Sequence, residues 1–188
     1  SGIIGTISHS FKERIIPALN TTPGPLELQS LLKEMVSAGC DYCLMVVSSH
    51  SLEQKRTEAI DFKAAIFTNL TQDHLDYHLN MENYFLAKAK LFSSLSETAW
   101  AIVNTDSPYA LRLKDLTRGR FLGYGIERET AVRAQNLKMG IGGSEFDLEY
   151  EGCNTKIKTD LIGRHNVYNI LASAAFAFTQ NVKPEDIQ

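Results

Sequence analysis

The chain has 188 residues, of which 44% are hydrophobic and 22% are charged, and its formal net charge is −3. This composition is ordinary for one globular domain, or for a domain with a small appendage. The slight negative charge and the absence of long Lys or Arg runs exclude an electrostatic nucleic-acid binder. No apolar stretch approaches the roughly 20 residues of a membrane helix, and no signal-peptide pattern is present. We therefore expect a cytoplasmic protein with neither nucleic-acid nor membrane partners.

Up to Gly125, apolar runs that are typical of strands alternate with helical periodicities. Residues 2–7 predict a strand. The segment after it, up to and including residues 20–25, predicts a polar loop. The alternation indicates a parallel sheet with helices on its faces. The predicted strands are 42–47, 64–70, 100–104 and 120–125, and the predicted helices are 26–39, 107–116 and the one that contains Lys88. The continuous apolar run at 42–47 predicts a strand that is covered on both faces.

After Gly125 the pattern changes to β-leaning segments separated by the glycines of residues 140–143 and by residues 152–154. This spacing predicts an antiparallel meander over residues 126–162. The last part, residues 163–188, contains a small-residue-rich, mostly buried helix at 166–180. We thus predict an α/β domain over 1–188, with its parallel part in 1–125. Because the chain begins abruptly at Ser1 and stops as a helix opens at Pro184, we expect an internal piece of a longer protein.

The chain has three cysteines, which are too few for a disulfide scaffold. Cys40 and Cys43 match C-x-x-C spacing, but no second pair completes a zinc site. Cys43 also opens the apolar run of a predicted strand. Buried thiols are therefore the favoured prediction for these cysteines, with redox or metal chemistry as the alternative.

Lys88 lies on the apolar stripe of its predicted helix, together with Tyr84, Leu91, Phe92 and Leu95. Burying an unpaired ammonium group costs several kcal/mol or more. A lysine at this position therefore needs a partner, a shifted pKa or a covalent change.

Two polar clusters follow predicted strands, where parallel sheets gather their ligands. Residues 48–51 supply hydroxyls and an imidazole, and residues 68–78 supply a larger set. That larger set is Asn69, Thr71, Asp73, His74, Asp76 and His78. A zinc-protease helix is excluded, because Leu75 stands where that motif has Glu. An oxygen-rich set with one imidazole suits Mg²⁺ or Mn²⁺, although each residue alone also fits a helix cap or solvated loop. No G-x-x-x-x-G-K-[ST] loop occurs in the chain, so the residues alone predict only a polar site near His74.

Five motifs, in order, resemble the central, ATP-binding domain of the Mur ligase family. The likeness is greatest to the MurE type, which adds the third amino acid to UDP-N-acetylmuramoyl-L-alanyl-D-glutamate. Folylpolyglutamate and cyanophycin synthetases share the fold but are less similar in the first two motifs. The resemblance implies a mostly parallel, P-loop-NTPase-like sheet flanked by helices. The motifs are "NTTPGPLELQ" (20–29), "VVSSHSLEQKR" (46–56), "AAIFTNLTQDHLDYH" (64–78), "NYFLAKAKLF" (83–92) and "GRHNVYNILASAAF" (163–176).

The resemblance also implies roles for individual residues. Lys88 would be carbamylated by CO₂ into an anion that binds Mg²⁺, and His74 would be a ligand in the same metal region, which makes both catalytic. ATP would phosphorylate the D-glutamate carboxylate, and the amine of an amino acid would then displace phosphate from the acyl phosphate. The implied binding residues are Thr21, Thr22, Ser48 and Arg56 for the UDP-muramoyl dipeptide, and Asn69 and Asn169 for ATP.

Several departures from the family pattern stand beside these implications. The phosphate-binding loop is expected before Ser1, and the two flanking domains of the family are absent, so we expect this chain alone to be inactive and marginally stable. Val46 occupies the position where the family has a Glu ligand for Mg²⁺. A degenerate, non-catalytic fragment is therefore the alternative hypothesis. We expect a monomer at full length, and the added amino acid stays open between diaminopimelate, lysine and others.

Overall fold

The computed structural model describes residues 1–187 and divides the chain into two compact units. The first unit contains residues 1–60 and 74–90, and the second contains residues 61–73 and those from 91 onward. Each unit has its own sheet and its own apolar core.

The sheet of the first unit has four strands in the order β3-β2-β1-β4. Strand β1 pairs with β4 in parallel and with β2 in antiparallel fashion. The strands are β1 (Gly2–Ile4), β2 (Ser8–Phe11), β3 (Arg14–Pro17) and β4 (Cys43–Met45).

The β2–β3 hairpin occupies a segment that the sequence analysis assigned to a polar loop, and that prediction was wrong. The alternation within β2 explains the hairpin, because His9 and Phe11 are buried while Ser8 and Ser10 are half-buried. This period-2 pattern is that of a strand with one covered face. Lys12, with a φ of 52°, lies in the turn between the two strands.

Helix α1 (Pro25–Ser37) provides the core of the first unit by burying Leu28 and Met35 against Ile4 and Phe11. Pro25 opens the helix, where its missing N–H costs nothing. Gly39 ends it with a φ of 74°. The N–H of Gly39 donates to the Val36 carbonyl at 2.9 Å, and the N–H of Cys40 donates to the Met35 carbonyl at 2.9 Å. These are the two bonds of a Schellman cap.

Strand β4 is shorter and more exposed than its apolar sequence predicted. It lies at the edge of its sheet, and Cys43 and Leu44 are exposed, so the prediction of cover on both faces was wrong. The prediction of buried thiols was wrong as well for Cys43 and Cys153, which are exposed, while Cys40 is half-buried. An apolar run predicts a strand but does not reveal how much of each face a neighbour covers.

Three helices come after β4 in the chain and carry candidate site residues of the first unit. They are α2 (Ser49–Glu53), α3 (Leu75–His78) and α4 (Met81–Ser93), of which α4 continues past the first unit at its end. The stripe predicted for α4 is confirmed, since Tyr84 and Phe92 are buried and Lys88 is half-buried, whereas Lys90 is exposed.

The second unit contains a six-stranded sheet in the order β10-β9-β8-β7-β6-β5. Strands β5 to β8 are parallel neighbours, and β8 to β10 form the predicted antiparallel meander. The parallel β7–β8 pair joins the meander to the main sheet, so the meander continues that sheet. The strands are β5 (Ala64–Phe67), β6 (Trp100–Asn104), β7 (Arg120–Gly125), β8 (Val132–Gly140), β9 (Gly143–Tyr150) and β10 (Cys153–Thr159).

Helix α6 (Arg164–Thr179) packs on this sheet and confirms the predicted buried, small-residue-rich helix. Its Val167, Leu171 and Phe178 lie in one apolar core with Tyr124 and Phe146. Helix α5 (Ala110–Leu116) is shorter than predicted, and Pro184–Asp186 form a 3₁₀ turn. Within residues 1–187, no helix has both the length and the apolar character to cross a bilayer.

Candidate functional site

A buried threonine fastens the first motif to the end of β4. Thr22 is 1% exposed, and its hydroxyl donates to the Val46 carbonyl at 2.9 Å. The same oxygen accepts from the Ser48 N–H at 3.0 Å. One hydroxyl thus pairs with two part-buried backbone groups of the segment after β4. Thr21, its neighbour, is half-buried, with its hydroxyl 3.4 Å from that of Thr6.

Arg56 holds the same loop from the other side. One terminal nitrogen of its guanidinium donates to the Thr22 carbonyl at 2.7 Å. Its Nε and second terminal nitrogen donate to Gln54 Oε1 at 2.9 and 2.5 Å. These bonds use three of the five N–H donors of a guanidinium and leave two for another acceptor. Thr22, Ser48 and Arg56 are predicted to bind the same substrate but lie far apart in the sequence. The fold brings them together.

Ser48 begins helix α2 as its N-cap. Its hydroxyl accepts from the Ser51 N–H at 3.2 Å, and the Ser51 hydroxyl donates back to the Ser48 carbonyl at 2.6 Å. This capping explains why the serine-rich segment forms a helix directly after the strand. It also places His50 of that segment at a fixed position on the helix.

Helices α2, α3 and α4 meet through aromatic rings in a group that we name the histidine cluster. The His50 ring centroid lies 5.1 Å from that of His74, 5.6 Å from that of His78 and 4.1 Å from that of Tyr77. His78 stacks on Tyr84 with centroids 5.1 Å apart and an interplanar angle of 21°. Separations of this size are those of favourable aromatic pairs. The histidine cluster consists of His50, His74, Tyr77, His78 and Tyr84.

His78 is the buried centre of this cluster, with 5% of its surface exposed. Its Nε2 lies 2.8 Å from the hydroxyl of the buried Ser49. Burial lowers the pKa of the His78 imidazole, and the neighbouring His50, His74 and Lys88 lower it further against an opposing effect of Glu53. A neutral imidazole therefore ties α3 to α2. The sequence analysis listed His78 in the candidate polar cluster at residues 68–78 and missed this packing role.

Lys88 lies beside the cluster on α4. Its Nζ is 5.1 Å from the centre of the Tyr84 ring, within the range of a cation–π contact. Lys90, two residues later, instead forms an exposed ion pair with Glu53 at 2.6 Å. The contrast between the two lysines bears out the predicted inward orientation of Lys88.

The side chains around Lys88 do not by themselves fit a magnesium ion. Among residues 1–187, no three His, Cys, Asp or Glu side chains are grouped so that they could hold a metal. Magnesium prefers oxygen ligands, whereas this cluster presents imidazoles and an ammonium group. Val46, 53% exposed at the end of β4, adds only an isopropyl group. Within the described residues, an unmodified Lys88 therefore has no ready metal-binding group of this kind beside it.

The two predicted nucleotide-binding residues belong to the second unit. Asn69 is exposed after β5, and its Oδ1 accepts from the Leu70 N–H at 2.8 Å. Asn169 is exposed on α6, and its carbonyl accepts from the Ser173 hydroxyl at 3.0 Å. Their roles stay predictions, because these bonds show only how each residue is held.

The sequence analysis missed one carboxylate of the second unit altogether. Asp106 follows β6 and accepts N–H groups from three consecutive residues, Ile126 at 2.7 Å, Glu127 at 3.0 Å and Arg128 at 2.9 Å. The Tyr168 hydroxyl donates to it as well, at 2.8 Å. Burial alone would raise the pKa of Asp106, but these four hydrogen bonds outweigh it and hold the pKa below its ordinary value. Asp106 lies in the segment Thr-Asp-Ser-Pro, whose composition is that of an ordinary polar turn, so the sequence carries no signal of this role.

Comparison with known proteins agrees with the fold and the motifs. The family model described as "Mur ligase middle domain" matches residues 1–177. A Clostridium acetobutylicum UDP-N-acetylmuramoyl-L-alanyl-D-glutamate–2,6-diaminopimelate ligase is 42% identical over 188 residues, which are 100% of this chain and 38% of that protein. A ligase of the same name from Geobacter sulfurreducens is 39% identical over 181 residues, 93% of this chain and 36% of that protein.

A solved structure of a UDP-N-acetylmuramoyl-L-alanyl-D-glutamate–2,6-diaminopimelate ligase superposes with a TM-score of 0.87 and 26% identity. The match covers 97% of this chain and 38% of that one. The chain thus spans well under half the length of the relatives that it matches. The family model, however, accounts for nearly all of the chain. This protein therefore belongs to the Mur ligase family, through the middle domain that gives the model its name.

Proposed function

We propose that this chain is the ATP-binding middle domain of a ligase that adds the third amino acid to UDP-N-acetylmuramoyl-L-alanyl-D-glutamate in peptidoglycan synthesis. Support comes from the names of the relatives, which specify this substrate and 2,6-diaminopimelate. Diaminopimelate is accordingly the first amino acid to test. The observation that carries the proposal is the convergence in the first unit of Thr22, Ser48 and Arg56, beside the helices that hold His74 and Lys88.

Thr21, Thr22, Ser48 and Arg56 form the proposed binding site for the UDP-muramoyl dipeptide. Thr22 shapes this site through its two backbone hydrogen bonds, because its hydroxyl is buried. The two remaining donors of Arg56 suit phosphate or carboxylate oxygens, which a guanidinium binds in a fork. Asn69 and Asn169 are the proposed ATP-binding residues of the second unit.

Lys88 is proposed to act as a carbamate. Loss of one proton from the ammonium group, addition of CO₂ to the neutral Nζ and loss of a second proton replace the cation with a carbamate. Its two oxygens share one negative charge and are the kind of ligand that Mg²⁺ prefers. Together with His74, this carbamate would hold Mg²⁺. When bound, that ion would offset the negative charge of the phosphate oxygens. The histidine cluster fixes the positions of the two ligands, since His50 contacts the His74 ring and Tyr84 lies under the Lys88 side chain.

The proposed reaction has two steps. A carboxylate oxygen of the D-glutamate residue attacks the γ-phosphorus of ATP, giving an acyl phosphate and ADP. The amine of the incoming amino acid then attacks the acyl carbon, and the C–O bond to phosphate breaks, leaving an amide, phosphate and a proton. The protein contributes mainly by positioning the reactants and stabilising charge. We further propose that the ligase works in the cytoplasm as a monomer.

The degenerate, non-catalytic alternative is favoured by the exposed isopropyl group of Val46, at the position where the family has a Glu ligand. No metal-binding group of acidic side chains among residues 1–187 compensates for it. The two hypotheses differ in an assay of the full-length protein with UDP-N-acetylmuramoyl-L-alanyl-D-glutamate, diaminopimelate, ATP and Mg²⁺. Ligation predicts the tripeptide product by mass spectrometry, with one phosphate released per amide formed. Omitting the dipeptide substrate is the control and should abolish phosphate release. Binding of substrates without product would support the degenerate alternative.

A further inference from the structure

The carboxyl ends of three parallel strands in the second unit are joined by side-chain hydrogen bonds. Asn104, buried at the end of β6, donates from Nδ2 to the Thr68 carbonyl beyond β5 at 2.9 Å. Its Oδ1 accepts the N–H of Asp106 at 3.0 Å. The Tyr124 hydroxyl of β7 donates to the Phe67 carbonyl at 3.1 Å. Ligands of parallel α/β sheets bind at this edge, and here the edge is held rigidly.

Asp106 uses its acceptor capacity within the protein. A carboxylate offers about four lone-pair sites, and Asp106 accepts four hydrogen bonds, three from the turn at residues 126–128 and one from Tyr168. Gly125 permits the close approach of the carboxylate, because a Cβ there would lie 3.1 Å from both carboxylate oxygens. A carboxylate engaged in this way orders its surroundings and has little capacity left for a ligand.

The four bonds join the turn at residues 126–128 to helix α6. Tyr168 is the residue directly before Asn169, so its hydroxyl fixes the part of α6 that presents this asparagine. A second link runs parallel to the first, since Arg164 of α6 forms an ion pair with Glu127 of the turn at 2.8 Å. Arg164 also lies over the Tyr168 ring, 5.9 Å from its centroid.

We infer that Asp106 is a positioning residue for nucleotide binding, acting through Tyr168 to hold Asn169 and the start of α6 in place. The inference rests on the proposed function, because that function assigns Asn169 to ATP. It differs from a direct role, since Asp106 contacts the chain and not the nucleotide.

The test is ADP binding by the full-length protein, measured by calorimetry for wild type, Tyr168→Phe and Asp106→Asn. Tyr168→Phe removes only the hydroxyl link and should weaken ADP binding by about five- to tenfold, the effect of one ordinary hydrogen bond. Asp106→Asn removes the negative charge and replaces one of the two acceptor oxygens with an NH₂ group, so it should weaken ADP binding more. Tyr150→Phe is the matched control, because Tyr150 also packs on α6, stacked on Phe178 with centroids 4.1 Å apart, but at its other end. It should bind ADP like wild type.

A positioning role also predicts that the KM of Tyr168→Phe for the UDP-muramoyl dipeptide stays close to wild type, while its melting temperature falls only by the few degrees that one lost hydrogen bond costs. If Asp106→Asn fails to fold, Tyr168→Phe still decides. Wild-type affinity of Tyr168→Phe for ADP, or an equal loss for ADP and dipeptide, would overturn the inference alone. A wild-type protein that does not bind ADP would overturn the proposed function and the inference together.

Discussion

The two units hold their polar side chains in different ways. In the first unit, the contacts are spread over many hydroxyls, imidazoles and aromatic rings, and Arg56 keeps two donors for another acceptor. In the second unit, one carboxylate accepts four hydrogen bonds from its own chain. The difference indicates that side chains of the first unit are equipped to contact substrate, whereas Asp106 in the second unit is equipped to hold a binding element in shape.

The largest effect is expected for Lys88→Ala. Loss of the proposed carbamate should reduce ligation by the full-length protein about 100- to 1,000-fold, the size of effect seen when one charge-stabilising group leaves an active site. Lys90→Ala is the matched control. It removes an exposed ion pair with Glu53, a kind of contact worth at most about 1 kcal/mol. Equal activities of the two variants, compared as kcat, would refute a role for Lys88.

The next largest effect is expected for Thr22→Val, which removes the hydroxyl that bonds to the Val46 carbonyl and the Ser48 N–H. This nearly isosteric change leaves the Val46 carbonyl and the Ser48 N–H without their partner. An unsatisfied group costs about 1–3 kcal/mol when fully buried and less when water can reach it, so we expect the free energy of unfolding, measured by urea denaturation, to fall by about 1–2 kcal/mol. Thr21→Val, whose hydroxyl makes only a 3.4 Å contact, should cost much less. An equal loss of unfolding free energy in both variants would argue against a special role for the Thr22 hydroxyl.

A smaller effect concerns acid stability and His78. Because its pKa is lowered in the folded state, His78 stabilises the fold above its unfolded pKa, near 6.5, and this contribution is lost as the pH falls towards the folded pKa. The free energy of unfolding should therefore decline between about pH 7 and pH 5, and His78→Gln should flatten that decline. His50, His74, Lys88 and Glu53 surround the imidazole and stay in both proteins. If the free energy of unfolding has the same pH dependence in wild type and in His78→Gln, His78 is not the source of the decline.

The smallest effect is expected for Val46→Glu. A carboxylate at the end of β4 would add an anionic oxygen ligand near the proposed metal site, so turnover at limiting Mg²⁺ should rise severalfold. Leu44→Glu, at a similarly exposed position of the same strand, adds the same charge away from the strand end. An unchanged dependence of kcat on Mg²⁺ in Val46→Glu would show that position 46 does not affect metal binding.

Features encoded over a few residues were predictable, and features that depend on distant segments were not. The stripe of α4 placed Lys88 inward, and apolar runs located β6 and β7 with their observed bounds. The exposure of β4 depends on which elements cover it, and no local pattern reports that. The bond between Asp106 and Tyr168 joins residues 62 positions apart, and either residue alone has an unremarkable sequence context.

The most direct test of the account follows an oxygen atom. The full-length protein would be given ATP, diaminopimelate and a UDP-muramoyl dipeptide whose D-glutamate side-chain carboxylate carries ¹⁸O, and the released phosphate would be analysed by mass spectrometry. An acyl phosphate predicts that one ¹⁸O leaves with each phosphate as the amide forms. Amide formation with unlabelled phosphate would contradict the proposed chemistry, and the absence of any amide would contradict the assignment of this chain to a working ligase.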